Sequence, residues 1–388
     1  MALETQVALI DHRSASRPGV WIEVQLDRIL RNLEKIREKV RPFTRVMAVV
    51  KANAYGHGLI PVSKVLQGKV DFLGIGSLKE ASLLREQEIT TPLFLFGRIF
   101  ADEIPLALQM NLILTVSSLE EAKAISEAGL RFSKKTSVHV KVDTGMRRLG
   151  IPYSQALSEI EKIAGLPRLQ LDGIYTHFPT AERFPDPATQ KELNDFENLI
   201  QDLRRKGFVF AFRHGANSAG AFRFKSHQLN LVRPGIALYG IYPHPSFEKE
   251  VELEPALTLK SRIVFLKHLS PGDSVGYGRQ FVAAHSTTIA VLPVGYAHGY
   301  PFHLSGKGKI LYRGKRFPMV GRVCMDSMMV ELGNSIEARV GDEVILLGGD
   351  SYERIQAQEL ASLAQTIPYE IVTRLDAGIA RFYPLPLS

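Results

Sequence analysis

Arg45-Val46-Met47-Ala48-Val49-Val50-Lys51, followed by Ala52-Asn53-Ala54-Tyr55-Gly56-His57-Gly58, is the stretch on which the reading of the fold turns. Arg45–Lys51 is a short apolar run and predicts a strand. It ends in a lysine, and small residues and glycines follow. Moving outward, further short apolar runs occur at Phe72–Gly76, Leu93–Gly97, Leu112–Val116, Val138–Asp143, Leu171–His177, Val209–His214 and Leu231–Tyr239. Stretches with apolar residues at three- and four-residue spacing separate them, such as Ser118–Ala128 and Asp186–Lys206, and these predict helices. Serial alternation of strand and helix implies parallel strands. Eight strands between Trp21 and Tyr239 predict an α/β fold, a TIM-like (β/α)8 barrel. An open doubly wound sheet competes with it, and the strand count alone does not separate the two.

After Glu254 the rhythm changes. Leu257–Leu266, Thr287–Pro293, Lys309–Tyr312, Met328–Leu332 and Glu343–Leu347 read as strands joined by turns such as Pro271-Gly272-Asp273. Helical spacing returns at Ile355–Gln365. The expectation is therefore a barrel over residues 1–252 and a C-terminal mainly-β domain over 253–388. The length of 388 residues agrees, being too great for one typical domain of ~100–200.

Composition removes several function classes. A net charge of +8 raises nucleic acid as a partner, but the basic runs, such as Lys134-Lys135 and Arg204-Arg205-Lys206, are short and scattered. They predict a solvated surface that favours anionic ligands. Cys324 is the single cysteine, so no disulfide framework or cysteine-based zinc site forms, which fits a reducing cytoplasm. Met1 to Gly19 carries Glu4 and Asp11 without a long apolar core and does not read as a signal peptide. No apolar run is long enough for a membrane span. Gly272-Asp273-Ser274-Val275-Gly276 matches a nucleophile elbow by letter, yet that elbow needs a strand before it and a helix after it. Ser270-Pro271 and Tyr277-Gly278-Arg279 flank it instead, so it predicts a turn. Walker, dinucleotide and H-E-x-x-H patterns are missing.

Lys51 is the strongest local candidate for chemistry. A strand-end lysine is most often a solvated charge. At the C-terminal end of a barrel strand it faces the active-site mouth, and in a partly dry pocket it can lose its proton and form a Schiff base. Ala52, Ala54, Gly56 and Gly58 leave room for a bulky group beside it. Asp143, His177, Ser218 and Gly235 also fall at or just after predicted strand ends. Barrels often hold phosphate in the loops after strands seven and eight. Those loops carry Ser218 and Gly235-Ile236, a hydroxyl and backbone N–H groups suited to a phosphate dianion.

The Lys51 segment resembles that of the bacterial alanine racemases. The resemblance continues in order through Lys141-Val142-Asp143-Thr144-Gly145-Met146, Arg148-Leu149-Gly150, Thr176-His177-Phe178, Asn217-Ser218 and Val232-Arg233-Pro234-Gly235-Ile236. It goes on through Val275-Gly276-Tyr277-Gly278-Arg279, Val294-Gly295-Tyr296, Gly321-Arg322-Val323-Cys324-Met325-Asp326 and Ile367-Pro368-Tyr369-Glu370. Each piece is weak alone; the ordered set spans nearly the whole chain.

The resemblance implies pyridoxal 5'-phosphate as cofactor, held on Lys51, with Tyr55, His177, Asn217, Ser218, Arg233, Gly235, Ile236 and Tyr369 around it. It implies Lys51 and Tyr277 as the two catalytic bases, one for each face of the substrate Cα. Arg148, Met325, Tyr296 and Asp326 are implied as substrate contacts, and Lys141 as a carbamylated lysine. It further implies a cytoplasmic homodimer that shares its sites, supplies D-alanine for peptidoglycan, and needs no metal, nucleic acid or membrane. Read alone, Tyr296 fits packing in a Gly-rich turn, Met325 core filling and Asp326 a turn. A tyrosine hydroxyl is a poor base at neutral pH, with a reference pKa of ~10, and needs positive neighbours to become one. Arg147 stands where the family commonly has glycine, which leaves two adjacent arginines as candidates; the motif favours Arg148. His298 and Pro179 also depart from the family pattern. A racemase of serine or basic amino acids, or a fold-related amino-acid decarboxylase, is the alternative reading.

Overall fold

The computed structural model describes residues 18–384, apart from 225, 227, 228, 335, 336, 350 and 351. The leader reading of the first nineteen residues thus falls largely outside the described ones. Eight parallel strands form the first unit: Arg45–Val49, Phe72–Ile75, Leu93–Leu95, Ile113–Val116, Thr136–Asp143, Leu169–Tyr175, Phe212–His214 and Leu231–Val232. Each pairs with the next except at the last junction, and Leu231–Val232 returns to pair with Arg45–Val46. The last gap is bridged by Asn230 N–H to Arg213 O at 3.0 Å and by Arg233 N–H to Ala216 O at 2.9 Å. The sheet is a nearly closed barrel, and the open doubly wound alternative is excluded. Its inward layer is aromatic: Phe94, Tyr175, Phe72, His139 and His214 pack ring against ring.

Helix starts follow local chemistry. Asp186 accepts from the N–H groups of Ala188 and Thr189 and begins the helix Pro187–Arg205. Ser118 accepts from Glu121 N–H and begins Leu119–Arg131. One expected strand, Leu231–Tyr239, is cut to two residues. Pro234 lacks an N–H for the ladder, and Ile236–Tyr239 turns into a 3-10 helix.

The second unit is a sheet of antiparallel strands, with one parallel pair at its edge. The expected strand Leu257–Leu266 is two strands with different neighbours. Leu257–Arg262 pairs with Glu343–Gly349, and Phe265–Leu269 pairs with Thr287–Leu292. A further strand, Lys315–Val320, lies between Lys309–Tyr312 and Met328–Glu331. The boundary expected at residue 252 also needs correction at the other end of the chain. Val20–Val24 pairs antiparallel with Leu257–Arg262 and parallel with Arg381–Phe382, so it belongs to the β sheet and not to the barrel.

The connection between the units is pinned. Asn32, buried in the first helix, donates through Nδ2 to Leu238 O at 3.1 Å and Glu254 O at 2.8 Å, and its Oδ1 accepts from Glu254 N–H at 2.8 Å. The Arg31 guanidinium grips the Glu254 carboxylate with two bonds, at 2.7 and 2.9 Å. Ser274 begins the short strand Ser274–Val275, paired with Phe281–Val282, rather than a turn, and a three-residue 3-10 turn follows it, so the false nucleophile motif lacks the elbow's strand-then-helix setting. Among the described residues no helix is long and apolar enough to cross a membrane.

Candidate active site

At the C-terminal mouth of the barrel lies a cavity of about 560 Å³. It gathers eleven of the expected site residues: Lys51, Tyr55, Lys141, Arg148, His177, Asn217, Ser218, Arg233, Gly235, Ile236 and Tyr369. Lys51 follows the strand Arg45–Val49 directly. The next four residues, Ala52 to Tyr55, all have φ between 52° and 54°, a left-handed run without glycine. Such backbone costs roughly 1–2 kcal/mol per residue and persists only where its surroundings over-determine it. Gly56 N–H bonds to Ala52 O at 3.0 Å, Gly58 N–H to Asn53 O at 2.9 Å, and Leu59 N–H to Asn53 Oδ1 at 2.8 Å. The Glu80 carboxylate accepts from Ala52 N–H and Gly76 N–H, both at 2.7 Å.

Glu80 went unread as a site residue. Its signal was the Ser77-x-x-Glu80 spacing, which marks a helix start; here the same carboxylate also clamps the turn that presents Lys51.

The charges around the cavity are mostly positive. Burial first, then the Arg148 charge, holds the Lys51 ammonium below the ordinary lysine range. Its Nζ lies 5.8 Å from the centre of the Phe96 ring. Lys141 is buried, and burial followed by Arg148 and Arg233 pushes it down to about 8. Arg148 lines the cavity and Arg147 is not among its lining residues. Arg147 instead takes a left-handed turn position, with its N–H on Asp143 Oδ1 at 3.1 Å.

Arg233 is buried and held entirely by neutral acceptors. Its guanidinium donates to His214 Nδ1 at 2.8 Å, Thr176 O at 3.0 Å, Gly215 O at 3.2 Å and His177 Nδ1 at 3.3 Å. Burial lowers it to about 10, so it remains a cation at neutral pH. Burial and the Arg233 charge push His177 down to about 3, leaving a neutral ring. His214 is a further residue that sequence reasoning did not single out.

The opposite wall suits a phosphate. Ser218 Oγ accepts from Gly235 N–H at 3.0 Å and Ala237 N–H at 3.3 Å, which leaves its own proton to donate. A Cβ at Gly235 would come within 2.5 Å of the Tyr55 hydroxyl, so glycine creates the space there. Tyr55 and Tyr369 lie with ring centres 6.2 Å apart, both raised by burial and therefore neutral donors. Asn217 serves locally as well, its Oδ1 accepting from Gly220 N–H at 3.0 Å to start the helix Ser218–Arg223. This set fits pyridoxal phosphate: hydroxyl donors for the phosphate, a neutral imidazole beside the ring, a guanidinium for the pyridine nitrogen, and an amine to bind the aldehyde.

Four expected residues lie elsewhere. Tyr277, Tyr296, Met325 and Asp326 are on the β domain and outside this cavity. They cluster with one another: Tyr296 N–H bonds to Cys324 O and Ala297 N–H to Met325 O, each at 3.0 Å, and the Tyr277 turn runs against Arg322. Tyr277 is 71% exposed and Met325 55%. Among the described residues these two side chains are left open to solvent.

A barrel with a strand-end lysine, a phosphate-suited wall and an appended β domain defines the architecture of the site. The family model "Alanine racemase, N-terminal domain" matches residues 24–243, and "Alanine racemase, C-terminal domain" matches 256–383. An alanine racemase of Desulforamulus reducens is 41% identical over 367 residues, which cover 94% of this chain and 98% of that one. One from Methanococcus maripaludis is 38% identical over 94% of this chain and 98% of its own. Among solved structures, alanine racemase of Clostridium difficile 630 superposes with a TM-score of 0.89 at 34% identity, covering 95% of this chain and 97% of that one. That of Bacillus anthracis, with bound L-Ala-P, gives 0.89 at 33%, covering 96% and 97%. The chain belongs to the alanine racemase family, whose members are isomerases with a general role in supplying D-alanine for peptidoglycan.

Proposed function

We propose that this chain interconverts L-alanine and D-alanine with pyridoxal 5'-phosphate, as a cytoplasmic homodimer whose two sites each draw on both copies. The observation that carries this reading is the convergence of Lys51, Arg148, His177 and Arg233 on one cavity opposite Tyr55, Ser218, Gly235 and Tyr369. When bound, the cofactor supplies an electron-accepting ring that acidifies the substrate Cα–H. Lys51 would hold its aldehyde, and the same amine would take or return the Cα proton on one face. A deprotonated amine is needed for both roles, and burial beside Arg148 favours that form. Arg148 holds the substrate carboxylate by paired hydrogen bonds.

Tyr277 of a second copy serves the other face, with Tyr296, Met325 and Asp326 completing the substrate pocket. Tyr277 does not line its own chain's cavity, although Tyr369 of the same domain does, and the pinned connection at Asn32 and Glu254 holds that arrangement, which favours a second copy as its source. Lys141 is carbamylated: as a carbamate it accepts hydrogen bonds from Arg148, whereas as an ammonium it would repel it. Arg233 places a fixed positive charge where fold-related decarboxylases would need an acid, which favours a racemase. A chiral assay against the common L-amino acids tests the reading. D-alanine should form fastest; faster racemisation of serine or a basic amino acid, or release of carbon dioxide, would overturn it.

A further inference from the structure

Glu80 is the third residue of the helix Leu78–Glu86, and its N–H donates to the N-cap Ser77 Oγ at 3.3 Å. In an ordinary capping box the carboxylate at this position returns to the N-cap backbone N–H. Here Oε2 reaches one residue further back and accepts from Gly76 N–H at 2.7 Å. Oε1 leaves its own helix and accepts from the N–H of Ala52, the residue after Lys51, also at 2.7 Å.

The helix Leu119–Arg131 offers a comparison within the same barrel. Glu121 N–H donates to its N-cap Ser118 Oγ at 3.2 Å, and Glu121 Oε2 accepts from Ser117 N–H at 2.7 Å. Glu121 Oε1 has no hydrogen-bond partner. A helix start of this kind therefore uses one carboxylate oxygen, and the Ala52 bond of Glu80 is an addition to it. That addition falls on the first residue of the left-handed run Ala52–Tyr55. Such a run without glycine is costly and persists only where contacts from outside hold it.

The carboxylate also lies close to the lysine stem. A Cβ at Gly76 would be 3.4 Å from Lys51 Cβ and 3.5 Å from Glu80 Oε2. Lys51 and Glu80 form no ion pair among the described residues, because both carboxylate oxygens face backbone N–H groups. The charge of Glu80 still favours the Lys51 ammonium, against Arg148 and Arg233, which oppose it. Glu80 is not among the residues that line the barrel-mouth cavity.

We propose that Glu80 is a positioning residue for Lys51, its carboxylate fixing the left-handed turn that aims the lysine amine at the cofactor aldehyde. The proposal rests on the reading of Lys51 as the cofactor lysine.

Rebinding of pyridoxal 5'-phosphate by the full-length protein tests it, followed by visible absorbance across pH, with borohydride fixation and peptide mapping. At alkaline pH, where the amine is free, Glu80→Gln and Glu80→Asp should each join the cofactor to Lys51 roughly tenfold more slowly than the parent chain. Glu80→Gln also removes a charge that favours the ammonium, so its rate should begin to rise at lower pH than the parent's. Glu80→Asp keeps that charge and should keep the parent's pH profile. The matched change Glu121→Gln should leave rate and profile unaltered. Parent-like rates in both Glu80 variants, or an equal slowing by Glu121→Gln, would overturn the proposal. Cofactor fixed on another lysine of the parent chain would instead overturn the reading of Lys51.

Discussion

The Arg233 guanidinium donates to His214 Nδ1 at 2.8 Å, and this contact fixes the protons of a buried chain. With Nδ1 an acceptor and the ring held neutral by burial, His214 Nε2 carries the hydrogen and donates to His139 Nδ1 at 2.9 Å. Arg233 is thus oriented from behind by imidazole and carbonyl groups, and among the described residues no carboxylate pairs with it. On the proposed reading, Arg233 would hold the pyridine nitrogen of a bound cofactor, and its full positive charge would disfavour a proton there. Arg233→Glu should lower kcat roughly 10²-fold and raise ketoacid formation by transamination. Steady-state racemisation with a ketoacid assay checks this, and normal racemisation without side product would remove Arg233 from the account.

Lys141 should carry one molecule of carbon dioxide. Carbamylation consumes the neutral amine, and burial with two arginines pushes the free lysine down to about 8. Occupancy should therefore fall as pH drops below that value and recover with added bicarbonate. Intact mass of the native protein measures it. A bare amine at pH 9 in bicarbonate would reject the assignment.

Gly235→Ala should loosen the cofactor without unfolding the barrel. The added methyl would come within 2.5 Å of the Tyr55 hydroxyl and 3.0 Å of its ring carbon, so the ring must move away from the phosphate. Loss of one charge-assisted hydrogen bond predicts roughly tenfold weaker retention. Visible absorbance after dialysis reports it, with far-ultraviolet circular dichroism as the control for fold.

Asn32→Ala should destabilise the chain by about 2–4 kcal/mol, because it strands one backbone N–H and two carbonyls at a buried junction. Thermal unfolding reads the change. A shift no larger than that of a surface substitution would mean the connection is not pinned there.

Much of the barrel was legible because its signals are local. Lys51 reads as a site residue from a strand end and the small residues after it, and the helices at Ser118–Ala128 and Asp186–Lys206 read from apolar residues at three- and four-residue spacing. Non-local pairing was not legible. Val20–Val24 belongs to a sheet whose other strands begin more than two hundred residues later, and no local spacing encodes that. Lys315–Val320 was hidden by Pro318, which argues against a strand except where its missing N–H does no harm. Within the site, Arg148 was distinguishable from Arg147 only by motif until the turn placed one in the cavity and the other outside it. His214 holds Arg233 in place and has no signature of its own, while Glu80 shows only the spacing of a helix start, which does not tell of its hold on Ala52 N–H.

The sharing of each site between two copies is most directly tested by mixing Lys51→Ala with Tyr277→Phe and isolating the heterodimer. Each parent homodimer lacks one base in both sites. The heterodimer carries both lesions in one site and leaves the other intact, so it should recover up to about half of one wild-type dimer's activity on simple site counting. No recovery from heterodimers shown to have formed would mean that Lys51 and Tyr277 serve the same site from a single chain.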